Sequence, residues 1–186
     1  MQPHERGDRS HAERRRAVPL RAAGYGFVAA LGTYAGVVLF LGVHVVSTAH
    51  VTVPGVGLET LFLGTLGDFL SAHAGVTDGV VMGVAGVGVV PLVAYYLLPP
   101  VVLCWSARRV VESDVSRQKA AVQGAALVLG YAPAVVVVLA TLAGSAEFAF
   151  VALDPTEAVL LAGIAYPLVF GGSGGVVVHL WSTEHT

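Results

Sequence analysis

Gly171–Gly172–Ser173–Gly174–Gly175 is the stretch whose residue types and spacing come nearest to a catalytic site. It fits G-x-S-x-G, the nucleophile elbow of serine hydrolases, and the shorter G-x-S-G of intramembrane serine proteases. A serine hydroxyl is a weak nucleophile until a neighbouring base takes its proton. An elbow also needs a strand before it, and no strand pattern precedes this one. An intramembrane site needs a histidine on a neighbouring helix at the same depth. His44 belongs near the opposite surface, and His179 lies six residues along the same helix, well round from Ser173. Close helix packing or a local break is therefore the expectation at Ser173, and no catalytic residue is assigned.

Metal and cofactor chemistry fare no better. His44, His50 and His73 lack the i, i+4 pairing of a metal helix, and the single cysteine, Cys104, excludes an internal disulfide and any cysteine-based metal site. Gly83-x-x-Gly86-x-Gly88 has the wrong order for a dinucleotide fingerprint. No cofactor is expected. Four long apolar runs hold no Asp, Glu, Lys or Arg at all. Ion-coupled carriers and pumps place ionisable groups inside the membrane, so their absence argues against that class.

Those runs are the elements that would position any site. The chain is 55% hydrophobic and 12% charged, against ~25% charged in ordinary soluble domains. Its charges are also segregated. Trp105–Lys119 carries Arg108, Arg109, Arg117 and Lys119 and joins two uncharged runs. A run of ~20 helical residues crosses a bilayer, so this is a helical hairpin turning on the cytoplasmic side. Expected spans are about 24–46, 79–104, 120–143 and 158–180, within a membrane domain of residues 22–181. Residues 1–21 form a disordered basic cytoplasmic arm with six arginines, and 182–186 a short cytoplasmic tail. Gly32/Gly36, Gly79/Gly83 and Gly171/Gly175 have the four-residue spacing that lets helix backbones approach. Pro91, Pro133 and Pro167 are candidate kinks, because each removes a backbone hydrogen bond.

Between the first two spans, Leu58, Phe62, Leu66, Phe69 and Leu70 share one helical face, with polar and small residues opposite. This predicts an amphipathic extracellular-side helix over about 55–73, lying on the bilayer or capping the bundle, with a re-entrant segment as the alternative. Glu59 inside the apolar arc favours packing on protein. Asp78 and Asp114 are candidate helix caps. Asp154–Pro155–Thr156–Glu157 has a capping acid, a proline at the first helical position and a glutamate three after the cap.

Threading four spans with the N-terminus inside places all ten Lys and Arg in the cytoplasm, while the outer connections hold six acids and no base. Positive-inside bias is the known cause of such sorting. The fold class is all-α: four transmembrane helices, N-in and C-in, multi-pass in the cell membrane.

Two segments, Tyr95–Pro100 (YYLLPP) and Leu160–Gly175 (LLAGIAYPLVFGGSGG), with Gly130–Tyr131–Ala132–Pro133, carry a resemblance. In them the chain resembles an uncharacterised family of small multi-spanning membrane proteins of salt-loving archaea, loosely over residues 20–181. The resemblance implies the four-span architecture and an archaeal cell membrane. It implies no catalytic or binding residue. With a net charge of −2, no nucleic-acid partner is expected. Expected partners are the lipid bilayer and a second copy of the chain or another membrane protein. The expected role is helix association, as a membrane scaffold or partner subunit, with a passive transporter or channel subunit as the alternative and an intramembrane serine hydrolase as the remote one.

Overall fold

The computed structural model describes residues 18–37, 39, 66, 69–70, 89–112, 114–144 and 154–184. Among the described residues every regular element is helical and there is no strand. Helix α1 covers 18–37, α2 Val89–Val110, α3 Arg117–Ala143 and α4 Pro155–Thr183. Both α3 and α4 are long and apolar enough to cross a membrane.

The basic connection is more helical than its charge suggests. Helix α2 runs on past Cys104 to Val110, and α3 begins at Arg117, so the turn proper is only 111–116. Two effects extend α2. Ser106, Ala107 and Val110 are buried, and Arg108 and Arg109 lie in the last turn, where cations stabilise the negative helix end by ~0.3–1 kcal/mol. The turn closes on a buried side chain. Gln123 Oε1 accepts the Glu112 N–H at 3.1 Å, and Gln123 Nε2 donates to Glu112 Oε2 at 3.1 Å. Ser116 caps α3, accepting the Lys119 N–H, and replaces Asp114 in the role expected for it. Asp154 caps α4 as its motif predicts, with Oδ1 accepting the Thr156 N–H at 2.7 Å and Pro155 in the first turn.

Neither α3 nor α4 is a regular α-helix. In α3 the winding tightens at Ala126–Leu127, where Leu127, Leu129 and Gly130 each donate to the carbonyl three residues back. Pro133 lies just beyond. Its ring crowds the carbonyl four residues earlier, Leu129, and a tightened turn upstream is one way to relieve that clash. In α4, Val159–Ala165 and Pro167–Gly171 are wound as π-helix, and Tyr166 N–H bonds to Leu161 O. Such winding is rare and commonly a single turn. Pro167, buried between the two segments, supplies the cause. Wider winding carries the Gly163 carbonyl away from the proline ring, and small buried Ala162, Gly163 and Gly171 leave room for it.

Helices α3 and α4 pack antiparallel, and the C-terminal part of α4 also packs on α2. Helix α1 lies across α3 through Gly26 and Gly130, and its later residue Gly36 meets Leu98 of α2. The described core mixes small residues, among them Ala22, Ala29, Ala30, Ala134, Ala158 and Ala162, with large ones such as Tyr34, Leu103, Leu127, Tyr131, Val135 and Leu142. Other large apolar side chains are exposed, among them Val122, Leu129 and Val137 on α3 and Leu160, Val169 and Val177 on α4. Leu66, Phe69 and Leu70 are helical and buried. Phe69 meets Tyr34 edge-on, with ring centroids 5.1 Å apart. These three therefore pack on protein, and the rest of 55–73 lies outside the described residues.

Candidate functional site

Three backbone crossings hold the bundle together, and each depends on an absent side chain. A Cβ on Gly130 would sit 1.7 Å from Ala23 O and 2.5 Å from Phe27 N. One on Gly26 would sit 2.0 Å from Leu127 O, so α1 and α3 touch main chain to main chain. The second crossing pairs α3 with α4. Gly124 lies against Gly171 O and Gly175 against Ala120 O, at 2.1 and 2.2 Å from their virtual Cβ atoms. Two small-residue pairs, Ala120/Gly124 and Gly171/Gly175, thus face each other in antiparallel register. At the third, Gly174 lies against Cys104 Cα of α2. Cys104 Sγ reinforces this contact by donating to Phe170 O at 3.4 Å.

Of the glycines singled out by spacing, Gly171 and Gly175 lie in this seam. A Cβ on Gly36 would make only an ordinary contact, 3.7 Å to Leu98 Cδ2, and Gly32 faces outward, with none of the described residues within 4 Å of a Cβ built there. Gly79 and Gly83 lie outside the described residues, as do His44, His50 and His73. Pro91 is the third described residue of α2, Pro133 is exposed on α3, and Pro167 is buried in α4. Sequence reasoning missed Gly26, Gly124, Gly130 and Gly174. A signal was present, since Ala22/Gly26 and Ala120/Gly124 have the same four-residue spacing as the pairs chosen. With 23 glycines in the chain that spacing recurs too often to select by itself.

Hydroxyls gather at the level where α1 meets α3. Thr33 is fully buried, and Tyr34 and Tyr131 are nearly so. Thr33 Oγ1 makes no hydrogen bond among the described residues. Ser173, by contrast, is exposed and turned back on its own helix, donating to Val169 O and Phe170 O. That hydroxyl satisfies carbonyls loosened by the π winding. His179 Nδ1 is buried and has no hydrogen-bond partner among the described residues, while the His179 carbonyl accepts from Ser182 and Thr183. Among the described residues no group of three His, Cys, Asp or Glu is placed to hold a metal ion.

A basic and aromatic cluster occupies the end of the bundle at the turn. Arg21 of α1 reaches α2 and donates from Nη2 to the Arg109 carbonyl at 2.7 Å. The Arg108 guanidinium lies over the Trp181 ring of α4, 4.5 Å from its centroid. Arg109 lies 5.5 Å from the centroid of Trp105. Three helices, far apart in sequence, are tied together by three arginines.

The chain belongs to DUF7978, a family of unknown function, whose model matches residues 1–182. No curated protein and no solved structure matches it.

Proposed function

We propose that this member of a family of unknown function is a multi-pass protein of the cell membrane, in a salt-loving archaeon. In this reading it crosses the bilayer four times with both ends in the cytoplasm, and it acts by association as a scaffold or partner subunit. The exposed apolar faces of α3 and α4 carry the proposal. Only 44% and 39% of the span-length stretches of α3 and α4 are buried, although both are apolar throughout. A soluble core helix of that composition would be enclosed. Outward Leu and Val on helices that cross main chain to main chain at glycine fit lipid, because packing between membrane helices comes from close backbone approach. Helix α2 supports a further span, since its 22 residues reach ~33 Å at ~1.5 Å each.

Association is supported by what the fold leaves unused. Gly171 and Gly175 are occupied within the chain, whereas Gly32 stays on the outer face of α1 among exposed Val28, Leu31 and Leu39. Gly32→Leu should therefore abolish self-association, or binding of a membrane partner, and leave the melting temperature unchanged. In-membrane cross-linking followed by sizing in mild detergent reads the first, and thermal unfolding the second. A wild-type chain that stays monomeric and unpartnered would refute the association role.

The buried hydroxyls of Thr33, Tyr34 and Tyr131 favour the second reading, a passive transporter or channel subunit. Solute flux through proteoliposomes, lost in Thr33→Val, would put that reading first. Neither reading uses Ser173 as a nucleophile.

A further inference from the structure

We propose that the Arg21, Arg108 and Arg109 cluster, with Trp105 and Trp181, is a docking site for one anionic phospholipid. The inference rests on the membrane reading above and adds to it a specific ligand class and a specific place.

Unpaired charge is the first ground. Arg21, Arg108 and Arg109 come from two helices and converge where Arg21 meets the Arg109 carbonyl. None of the three has a carboxylate partner among the described residues, and Glu112 is engaged by Gln123 instead. A guanidinium has five N–H donors around its edge. Stacking on Trp181 and Trp105 occupies the faces of Arg108 and Arg109 and leaves those edges available. Arg21 uses one donor. The cluster thus offers many more donors than the described residues supply acceptors, in the planar geometry that phosphate oxygens match.

The neighbouring turn adds to this field. Arg117 and Lys119 occupy the first turn of α3, which holds no acidic residue. Cations at that end oppose the helix dipole. A nearby anion would offset the cost.

The second ground distinguishes a lipid from a soluble phosphate. Below the arginines, Leu97, Val101 and Trp105 recur every four residues along α2, all of them exposed. They form one track ending at Arg108 and Arg109. Val177 and Trp181 make a similar approach along α4. Trp105 and Trp181 are 56% and 53% exposed, at the junction of apolar track and charge. Indoles favour that level in a bilayer, between acyl chain and headgroup. An apolar track capped by an indole and then a guanidinium fits an acyl chain running up to a phosphate. A free anion would have no use for the track.

The chain's two tryptophans both lie in this site, so its intrinsic fluorescence reports the site directly. The experiment reconstitutes the full chain into bilayers of phosphatidylcholine and phosphatidylglycerol, with bromine on the acyl chains of one lipid at a time. The expected result is stronger quenching per molecule by the anionic lipid than by the zwitterionic one. A basic residue near the membrane surface contributes about fivefold to such a preference. Arg108→Gln with Arg109→Gln should therefore lower it at least about fivefold, while Arg108→Lys with Arg109→Lys should retain most of it.

Equal quenching by the two lipids would overturn the proposal, and so would a preference unchanged in the glutamine variant. Loss in the lysine variant as well would show that packing rather than charge is responsible, which also overturns it. Soluble glycerol phosphate at millimolar concentration should leave the preference intact; abolishing it would identify a free-phosphate site instead. Quenching by neither lipid would remove the membrane reading itself, a result separate from failure of this site.

Discussion

Gly130→Val is expected to lower the melting temperature of the detergent-solubilised chain more than any substitution on the outward face of α3. The added Cβ would meet Ala23 O at 1.7 Å and Phe27 N at 2.5 Å. Both are main-chain atoms of a helix, so neither can rotate aside, and the two helices must separate. Overpacking a core typically costs ~1–3 kcal/mol, and occasionally more. Here the upper part of that range applies, because separation also opens the contacts around Leu127 and Tyr131. Gly124→Val should act alike by forcing α3 from α4 at Gly171 O. Gly32→Val is the control, since open space surrounds it. Equal melting temperatures for the Gly130 and Gly32 variants would mean that the α1–α3 crossing is not close.

A second large effect is expected from Leu129→Arg. Leu129 is exposed near the middle of α3. In water an arginine there would be almost neutral, since exposed positions away from special features tolerate change. Facing lipid near the bilayer centre, it should cost ~2.5–3.5 kcal/mol on insertion scales. Val169→Arg on α4 should behave alike, while Arg108→Leu at the headgroup level should cost far less. The measurement is the fraction of chain integrated into membranes on expression, compared across these variants. Full integration of Leu129→Arg and Val169→Arg would show that these faces do not meet lipid.

These two experiments bear on parts of the molecule that the sequence revealed unequally. The charge-free runs of α3 and α4, and the Asp154–Pro155 start, could be read directly because local composition determines them. Hydrophobic length makes a span, and a capped first turn begins it wherever the helix later packs. The crossing of Gly26 with Gly130 could not be read that way. Its spacing signal sits on two helices separated by a long connection, and nothing local says which of many glycines will meet another backbone. Gly32 shows the converse, with suitable spacing and an outward position. Acids favour the cap position, which points to Asp114 for α3, yet the reciprocal Gln123–Glu112 bonding shortens the turn and leaves Ser116 at the start. The π winding of α4 was equally hidden. Pro167 announced a disturbance, but whether a proline kinks a helix or widens it depends on the room around it, here supplied by Ala162, Gly163 and Gly171. The arginine cluster needed three dimensions, since Arg21 and Arg109 are 88 residues apart.

Membrane crossing with the basic turn in the cytoplasm is the central claim, and cysteine accessibility in intact cells tests it most directly. Cys104 is replaced, and single cysteines are placed at Ser113, in the turn between α2 and α3, and at Ser145, after α3. A membrane-impermeant thiol reagent should label Ser145→Cys in intact cells and reach Ser113→Cys only after the cells are opened. Labelling of Ser113→Cys but not Ser145→Cys in intact cells would contradict the orientation, and equal protection of both until lysis would contradict crossing by α3.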